Sequence, residues 1–418
     1  MGIKGLNDLI RKYAVKAFIT VPISEFAGKR IAIDGNNWMY TNMAIARKKV
    51  INRTDVSMVE IDMNDVRREW FLAAINFIVG WLAYNITPVF NFDGKHPPEK
   101  EDTKEKRKEA RQAGKDKIDK LYELLKGDIL ARPANVIEEL RKALKNYNFI
   151  QYEDFELFKM IIKRIGIPTF QATGDGEHLC SSFCVEGKVA AVFSIDTDNL
   201  VYACPLLITN FSEICSYDQY GNRVPHLDCV RVDYVLEGLK MTHDKFVDLC
   251  IMSGCDFNTN MPGYGGIKSY KLLQQYGNID NLPANLNVEC LKHVRCREMF
   301  EYKPSIELIV AVEKQEEDYD DYDENFVPNP EYQNNFDIDK SAIITARDCL
   351  QLVGITGQIE RLILSYRNLI PSSDGYVLYL QLPSAYRYKS PAKVEKMTVQ
   401  INKKTEGIRL KINKSITT

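Results

Sequence analysis

Ile167-Pro-Thr-Phe-Gln-Ala-Thr-Gly-Asp175-Gly-Glu177-His178 is followed, after a spacer, by Ala191-Val-Phe-Ser-Ile-Asp196-Thr-Asp198-Asn-Leu200. These stretches hold two carboxylate pairs, Asp175/Glu177 and Asp196/Asp198, each pair separated by one residue. Each pair follows an apolar run of strand length, 167–172 and 189–195, and so sits where a strand stops. Side chains two apart on extended backbone point the same way, so each pair presents two carboxylates to one place. Four like charges held that close repel unless a cation sits among them. Oxygen-only donors, with no Cys or His at ligand spacing, favour Mg²⁺ or Mn²⁺ over zinc. One such pair alone is more ordinarily a turn or a helix N-cap. Recurrence decides against that reading: Arg30-Ile-Ala-Ile-Asp34 and Thr87-Pro-Val-Phe-Asn-Phe-Asp93 are two further apolar strands ending in an acid.

Strands alternating with helices over residues 30–210 imply an α/β fold with a mostly parallel central sheet flanked by helices. In such sheets ligand sites lie beyond the carboxyl ends of the strands, so the acids are expected to converge there. Outward from this core, 2–13 and 65–84 read as helices. Residues 104–120 carry eight Lys/Arg against four acids, with no apolar stripe until Ile118, Leu121, Leu124 and Leu125. A helix polar all round is not packed flat on a core. Residues 133–165 return to an amphipathic pattern, and 206–211 read as a short strand before a turn-rich segment at Asp218-Gln-Tyr-Gly-Asn. Thr242 is a candidate N-cap for a helix over 243–253. Gly263, Gly265 and Gly266 then form a tight hairpin before another helix, with amides able to face a phosphate. Beyond it, 338–368 reads as helix, 376–382 and 397–412 as strands, the latter a hairpin.

The bulk numbers permit two or three domains in 418 residues of ordinary globular composition, 45% hydrophobic and 27% charged. No apolar run approaches membrane-spanning length. Ten cysteines without a C-x-x-C read as reduced core thiols of an intracellular protein. The net charge of −2 hides a segregation: eight acids against one lysine over 313–324, and nine Lys/Arg against two acids over 384–418. The acidic run has no apolar periodicity to bury and reads as a solvated linker.

Taken together, Met1-Gly-Ile-Lys-Gly-Leu6, Ile31-Ala-Ile-Asp34, Val89-Phe-Asn-Phe-Asp93-Gly-Lys95, Asp175-Gly-Glu177, Asp196-Thr-Asp198 and Asp248-Leu-Cys-Ile-Met-Ser-Gly-Cys-Asp256 resemble the structure-specific 5′ nucleases, the flap endonuclease and XPG-type family. Order, spacing and context agree over residues 1–280. The resemblance implies a PIN-like 5′-nuclease core over 1–312, with a helical arch at about 95–135 and a helix–two-turn–helix at about 244–280. An acidic linker over 313–336 and an extension over 337–418 follow. It further implies two-metal hydrolysis of DNA, as a 5′ flap endonuclease with 5′→3′ exonuclease activity. Asp34, Asp93, Asp175 and Glu177 would hold one Mg²⁺, and Asp196, Asp198 and Asp256 would complete the second, with Mn²⁺ able to substitute. Lys100 and Arg107 would reach the scissile phosphate from the base of the arch, and Tyr40 would stack on the neighbouring base. Gly2, Gly263, Gly265, Gly266 and Lys268 would touch DNA, with K⁺ on the hairpin carbonyls. The implied partner is branched or flapped duplex DNA, met by a monomer in the nucleus or at a viral replication site.

The chain departs from the family pattern at several points. Asp175 stands where cellular flap endonucleases have Glu, His96 adds a residue before Lys100, and Gly266-Ile267 replaces Pro-Lys in the hairpin. The tail has no Gln-x-x-Leu/Ile-x-x-Phe-Phe sliding-clamp box. Such divergence suits a version from a large DNA virus. Two rival readings stand beside this one: a 5′→3′ exoribonuclease-like enzyme with a similar acid cluster, and a catalytically silent DNA-binding scaffold.

Overall fold

The computed structural model describes residues 2–95, 97–126, 132–310 and 336–338, together with 400–401 and 410–411. Seven strands form one sheet: β1 Phe18–Pro22, β2 Arg30–Asp34, β3 Thr87–Phe92, β4 Thr169–Gln171, β5 Ala191–Phe193, β6 Leu206–Tyr217 and β7 Arg223–Arg231. Among the described residues thirteen α-helices accompany them: α1 Leu6–Tyr13, α2 Gly35–Arg53, α3 Met63–Leu82, α4 Glu101–Leu124, α5 Ala134–Asn146, α6 Tyr152–Arg164, α7 Gly176–Val185, α8 Asp198–Val201, α9 Val232–Leu239, α10 His243–Ser253, α11 Gly266–Tyr276, α12 His293–Phe300 and α13 Ser305–Leu308.

The sheet order is β1-β7-β6-β5-β2-β3-β4. From β6 through β5, β2 and β3 to β4 every pairing is parallel. Only the β6–β7 hairpin and β1 against β7 run antiparallel. Ile31, Ala32 and Ile33 of β2 are fully buried, as a central strand covered on both faces requires. One core lies between the sheet and α2, α3 and α6, around Trp70, Phe71, Phe90 and Phe158. The other packs α1, α7, α9, α10 and α11 on the opposite face, around Leu6, Phe183, Val192 and Phe246. Each large apolar side chain buried this fully contributes about 1.5–3 kcal/mol.

Local chemistry fixes where the helices begin. Asp34 caps α2 by accepting from the Asn37 amide at 3.0 Å. Thr242 caps α10 through the Lys245 amide at 3.4 Å, at the expected position. The charged helix α4 is exposed along most of its length and, at its far end, buries Ile118 and Leu121, with Leu125, against Leu140 and Leu144 of α5.

Three expectations need correcting. The first helix starts at Leu6, not Gly2, because Gly2 and Gly5 take positive φ of 89° and 68°. The short strand after Pro205 runs on to Tyr217, and the turn-rich segment is the tip of a hairpin with β7. Pro225 lies within β7, opposite Cys215 of β6. Strand β1, at the sheet edge, was not foreseen. The expected helix 338–368 and strand 376–382 lie outside the described residues, apart from Ile338, as does the acidic run 313–324. Of the expected 397–412 hairpin, two antiparallel rungs are described, Gln400 with Lys411 and Ile401 with Leu410.

Candidate metal centre and phosphate site

The carboxyl ends of β2, β3, β4 and β5 deliver Asp34, Asp93, Asp175 and Asp196 to one edge of the sheet. Asp34 is sealed from solvent. One of its oxygens caps α2, and the other accepts the Ser194 hydroxyl at 2.9 Å. The same hydroxyl accepts the Asp196 amide at 3.0 Å, so Ser194 couples two acids from adjacent strands. Nothing in the spacing of the acids points to Ser194; its one signal is its place between β5 and Asp196.

Asp93 is fixed at both ends of its residue. Its amide donates to Asn36 Oδ1 at 3.1 Å, and its Oδ1 accepts the Gly176 amide at 2.8 Å. Gly94 then runs against β4: its amide donates to the Gly174 carbonyl at 2.7 Å, and a Cβ there would lie 1.9 Å from the Ala172 carbonyl oxygen. Only glycine lets the two strand ends approach this closely.

The Asp175/Glu177 pair is not on extended backbone, as its spacing suggested. Asp175 is the residue before α7 and Glu177 lies in the first turn. The helix start separates their roles. Asp175 turns to Lys100, whose ammonium is 2.8 Å from its Oδ1. Glu177 turns inward to Asp196 and Asp198, and carboxylate oxygens of these three lie within 4.8 Å of one another. Asp198 opens α8 with its amide on Asp196 Oδ1 at 3.1 Å, while its own buried Oδ1 has no hydrogen-bond partner among the described residues. Asp256, beyond α10, adds charge beside Asp196 and Asp198 and pairs with Arg107 at 3.1 Å.

The electrostatics follow from burial. Asp34 is pushed up to about 8, first by burial and then by the Asp93 charge. Burial and neighbouring carboxylates raise Glu177 and Asp198 well above the ordinary range, and burial raises Asp196. Burial works against the Lys100 charge, yet Asp175, Glu177 and Asp93 hold its pKa above the ordinary lysine value. Like charges desolvated together, an orphaned carboxylate oxygen and oxygen-only donors fit a hard divalent cation. The residues suit such an ion.

The remaining expected residues fall in two places. Gly2 is at the centre itself, where a Cβ would meet Asp196 Oδ1 at 2.1 Å. Tyr40, half-buried on α2, packs edge-on against Phe155 with ring centroids 5.6 Å apart. Its phenol lies within the fields of Arg107, Arg111 and Asp93. Gly263 and Gly265 lie in the turn between α10 and α11, and Gly266 and Lys268 in the first turn of α11. A Cβ at Gly263 or Gly265 would meet open space, Gly266 is buried, and Lys268 Nζ donates to the Gly263 carbonyl at 2.8 Å. Thr103 was missed; its hydroxyl donates to the Asp256 carbonyl at 3.3 Å and ties α4 to the loop after α10.

Comparison with known proteins agrees with this geometry. Models of the XPG N-terminal domain and the XPG I-region match residues 1–114 and 166–256. Flap endonuclease 1 of Glycine max is 31% identical over 289 residues, covering 69% of this chain and 70% of that protein. Flap endonuclease 1 of Cryptosporidium muris is 31% identical over 313 residues, and the chain spans 62% of that relative's length. Flap endonuclease-1 from Methanococcus jannaschii superposes with a TM-score of 0.53 at 20% identity, over 84% of this chain and 97% of that one. The catalytic core of Rad2 in complex with DNA substrate gives 0.51 at 17% identity, over 88% of this chain and 100% of that one. At such identities the superpositions speak for the fold, and the sequence relatives carry the assignment. The chain belongs to the flap endonuclease and XPG family of structure-specific 5′ nucleases.

Proposed function

We propose that this protein is a divalent-metal-dependent DNA nuclease that cuts a phosphodiester at 5′ flaps and shortens duplex DNA from 5′ ends. The observation that carries the reading is the Glu177–Asp196–Asp198 cluster, with Asp196 and Asp198 buried and Glu177 partly so, beside a charged Lys100. Two Mg²⁺, with Mn²⁺ able to substitute, are the ions of choice. Glu177, with Asp34, Asp93 and Asp175, would hold one, and Asp196, Asp198 and Asp256 would hold the other. When bound, such ions supply the Lewis acidity that makes water a nucleophile at neutral pH and offset charge on the reacting phosphate.

The chain's own groups do the rest. Ser194 and the α2 amide hold Asp34 in place, and the Gly176 amide holds Asp93, so both carboxylates are preorganised. Lys100 offers a point charge and Arg107 a planar fork to the phosphate oxygens. Tyr40 provides an aromatic edge for the base beside the cut. The 263–266 turn grips duplex backbone, which reads structure and not sequence. The Gly263 carbonyl accepts from the Lys268 ammonium at 2.8 Å, so a K⁺ on the carbonyls of this turn would compete with that ammonium for the Gly263 oxygen. The acting species is a monomer on branched or flapped DNA.

The test is a divalent-metal titration of cleavage on flap, nick, gap, bubble and four-way junction DNA, with single-stranded RNA beside them. Mg²⁺-dependent cutting of flap DNA is expected, and Asp198→Asn should abolish it while DNA affinity is kept, because a ligand and not a phosphate contact is lost. Preference for RNA would favour the exoribonuclease reading. Equal cutting by parent and Asp198→Asn would remove Asp198 from the site.

A further inference from the structure

Lys100 has to be aimed from a weak piece of backbone. It ends a three-residue turn, Pro98–Lys100, with no side-chain cap, between the exit of β3 and the exposed helix α4. Its stem has four rotatable carbons, so the position of its Cα decides whether the ammonium reaches the site. One neighbour of Lys100 is tied down from outside. Arg295 Nε donates to Glu99 Oε1 at 2.6 Å, and Arg295 Nη1 is steadied by Glu298 at 2.8 Å.

Arg295 lies on α12, and α12 is bolted to the helix that leads to Asp256. Arg297 grips Asp248 of α10 through two bonds of 2.7 and 2.9 Å. Asn258 Nδ2 joins the Ile251 and Leu291 carbonyls at 2.9 and 3.0 Å. Glu99 and Arg295 are 196 residues apart in sequence, so this link spans two distant parts of the fold. An ion pair open to water holds little. Here the Glu99 side chain is only 17% exposed and its Oε2 is sealed from solvent, while Arg295 stays half open.

We infer that the Glu99–Arg295 pair is a positioning device for Lys100, registering the base of α4 against the α10–α12 frame that carries Asp256. The inference rests on the nuclease reading above. Neither residue touches the acid cluster; both act through Lys100.

The experiment compares Arg295→Ala and Glu99→Gln with the parent, each also in a Lys100→Ala background. Single-turnover cleavage of flap DNA, DNA affinity without metal, and amide hydrogen exchange over 98–104 in the DNA-free chain are measured. Arg295→Ala should slow the chemical step about tenfold while affinity changes by less than about twofold. In the Lys100→Ala background it should add no further loss, because the two residues act on one contact. Exchange at 98–104 should rise in Arg295→Ala, with a smaller rise in Glu99→Gln, which still accepts a hydrogen bond. An additive loss with Lys100→Ala, an unchanged rate, or unchanged exchange would overturn the assignment. A parent inactive on flap DNA would sink the nuclease reading alone, and the exchange comparison would still decide this one.

Discussion

A methyl group at Gly94 and one at Gly80 act in opposite directions. At Gly94 the new carbon would press on the backbone carbonyl of Ala172, just past β4, which cannot rotate away. Gly94→Ala should therefore destabilise the fold by about 1–3 kcal/mol, as overpacking does, and carry Asp93 off its amide partner. Gly80 sits in α3 with nothing within 4 Å of an added Cβ. There the methyl removes freedom from the unfolded chain and should stabilise by about 0.5–1 kcal/mol. Denaturant midpoints of the two variants check both signs, and a stabilising Gly94→Ala would contradict the close strand approach. At this scale the sequence was most legible in the acids, because a carboxylate after an apolar run is visible without a fold. Ser194 was not, because a lone serine acquires meaning only when Asp34 from another strand arrives at its hydroxyl.

Among the elements, α12 shows how a helix with little intrinsic support is held. It has eight residues, no side-chain cap and two buried apolar residues, Cys296 and Phe300. An isolated helix this short is marginal in water. Its anchor is Arg297, which meets Asp248 twice and Asp280 at 2.9 Å, while Asp248 also accepts the Ile279 amide at 3.0 Å. Asp248 is 3% exposed, so Arg297→Ala leaves a buried carboxylate with one amide for company. The expected loss is about 2–3 kcal/mol, below a fully buried pair because Arg297 itself reaches solvent. Thermal unfolding should show it, and Arg297→Lys should recover only part. A variant as stable as the parent would mean that α12 is carried by Cys296 and Phe300 alone. The periodicity of residues 243–253 announced α10 with its cap. The hairpin β6–β7 was hidden because its stability comes from cross-strand partners that no local pattern displays.

Over the whole molecule, the acid centre couples stability to pH and metal. Burial and like charge raise the folded-state values of Asp34, to about 8, and of Glu177, Asp196 and Asp198. A raised carboxyl binds its proton more tightly folded than unfolded, so between the ordinary carboxylate value of about 4 and the raised one the native state holds more protons. The metal-free chain should then lose stability as pH climbs from about 5 to about 8. A divalent cation favours the ionised carboxylates and should flatten that slope, raising Tm most at the alkaline end. Calorimetry across pH with chelator and with Mg²⁺ measures both, and a metal-free Tm that rises with pH would refute the shared burial of these acids. Among the described residues no helix is long and apolar enough to cross a membrane. The sequence by itself determined the parallel α/β class, the strand ends that carry the acids, and the family, because strand period, terminal acids and motif order are local properties of the chain. Only the tertiary structure decided that Asp175 answers to Lys100 while Glu177 answers to Asp196 and Asp198, and that Glu99 meets Arg295. Those pairings depend on where helix starts point after packing, and packing joins residues whose separation along the chain says nothing about their distance in space.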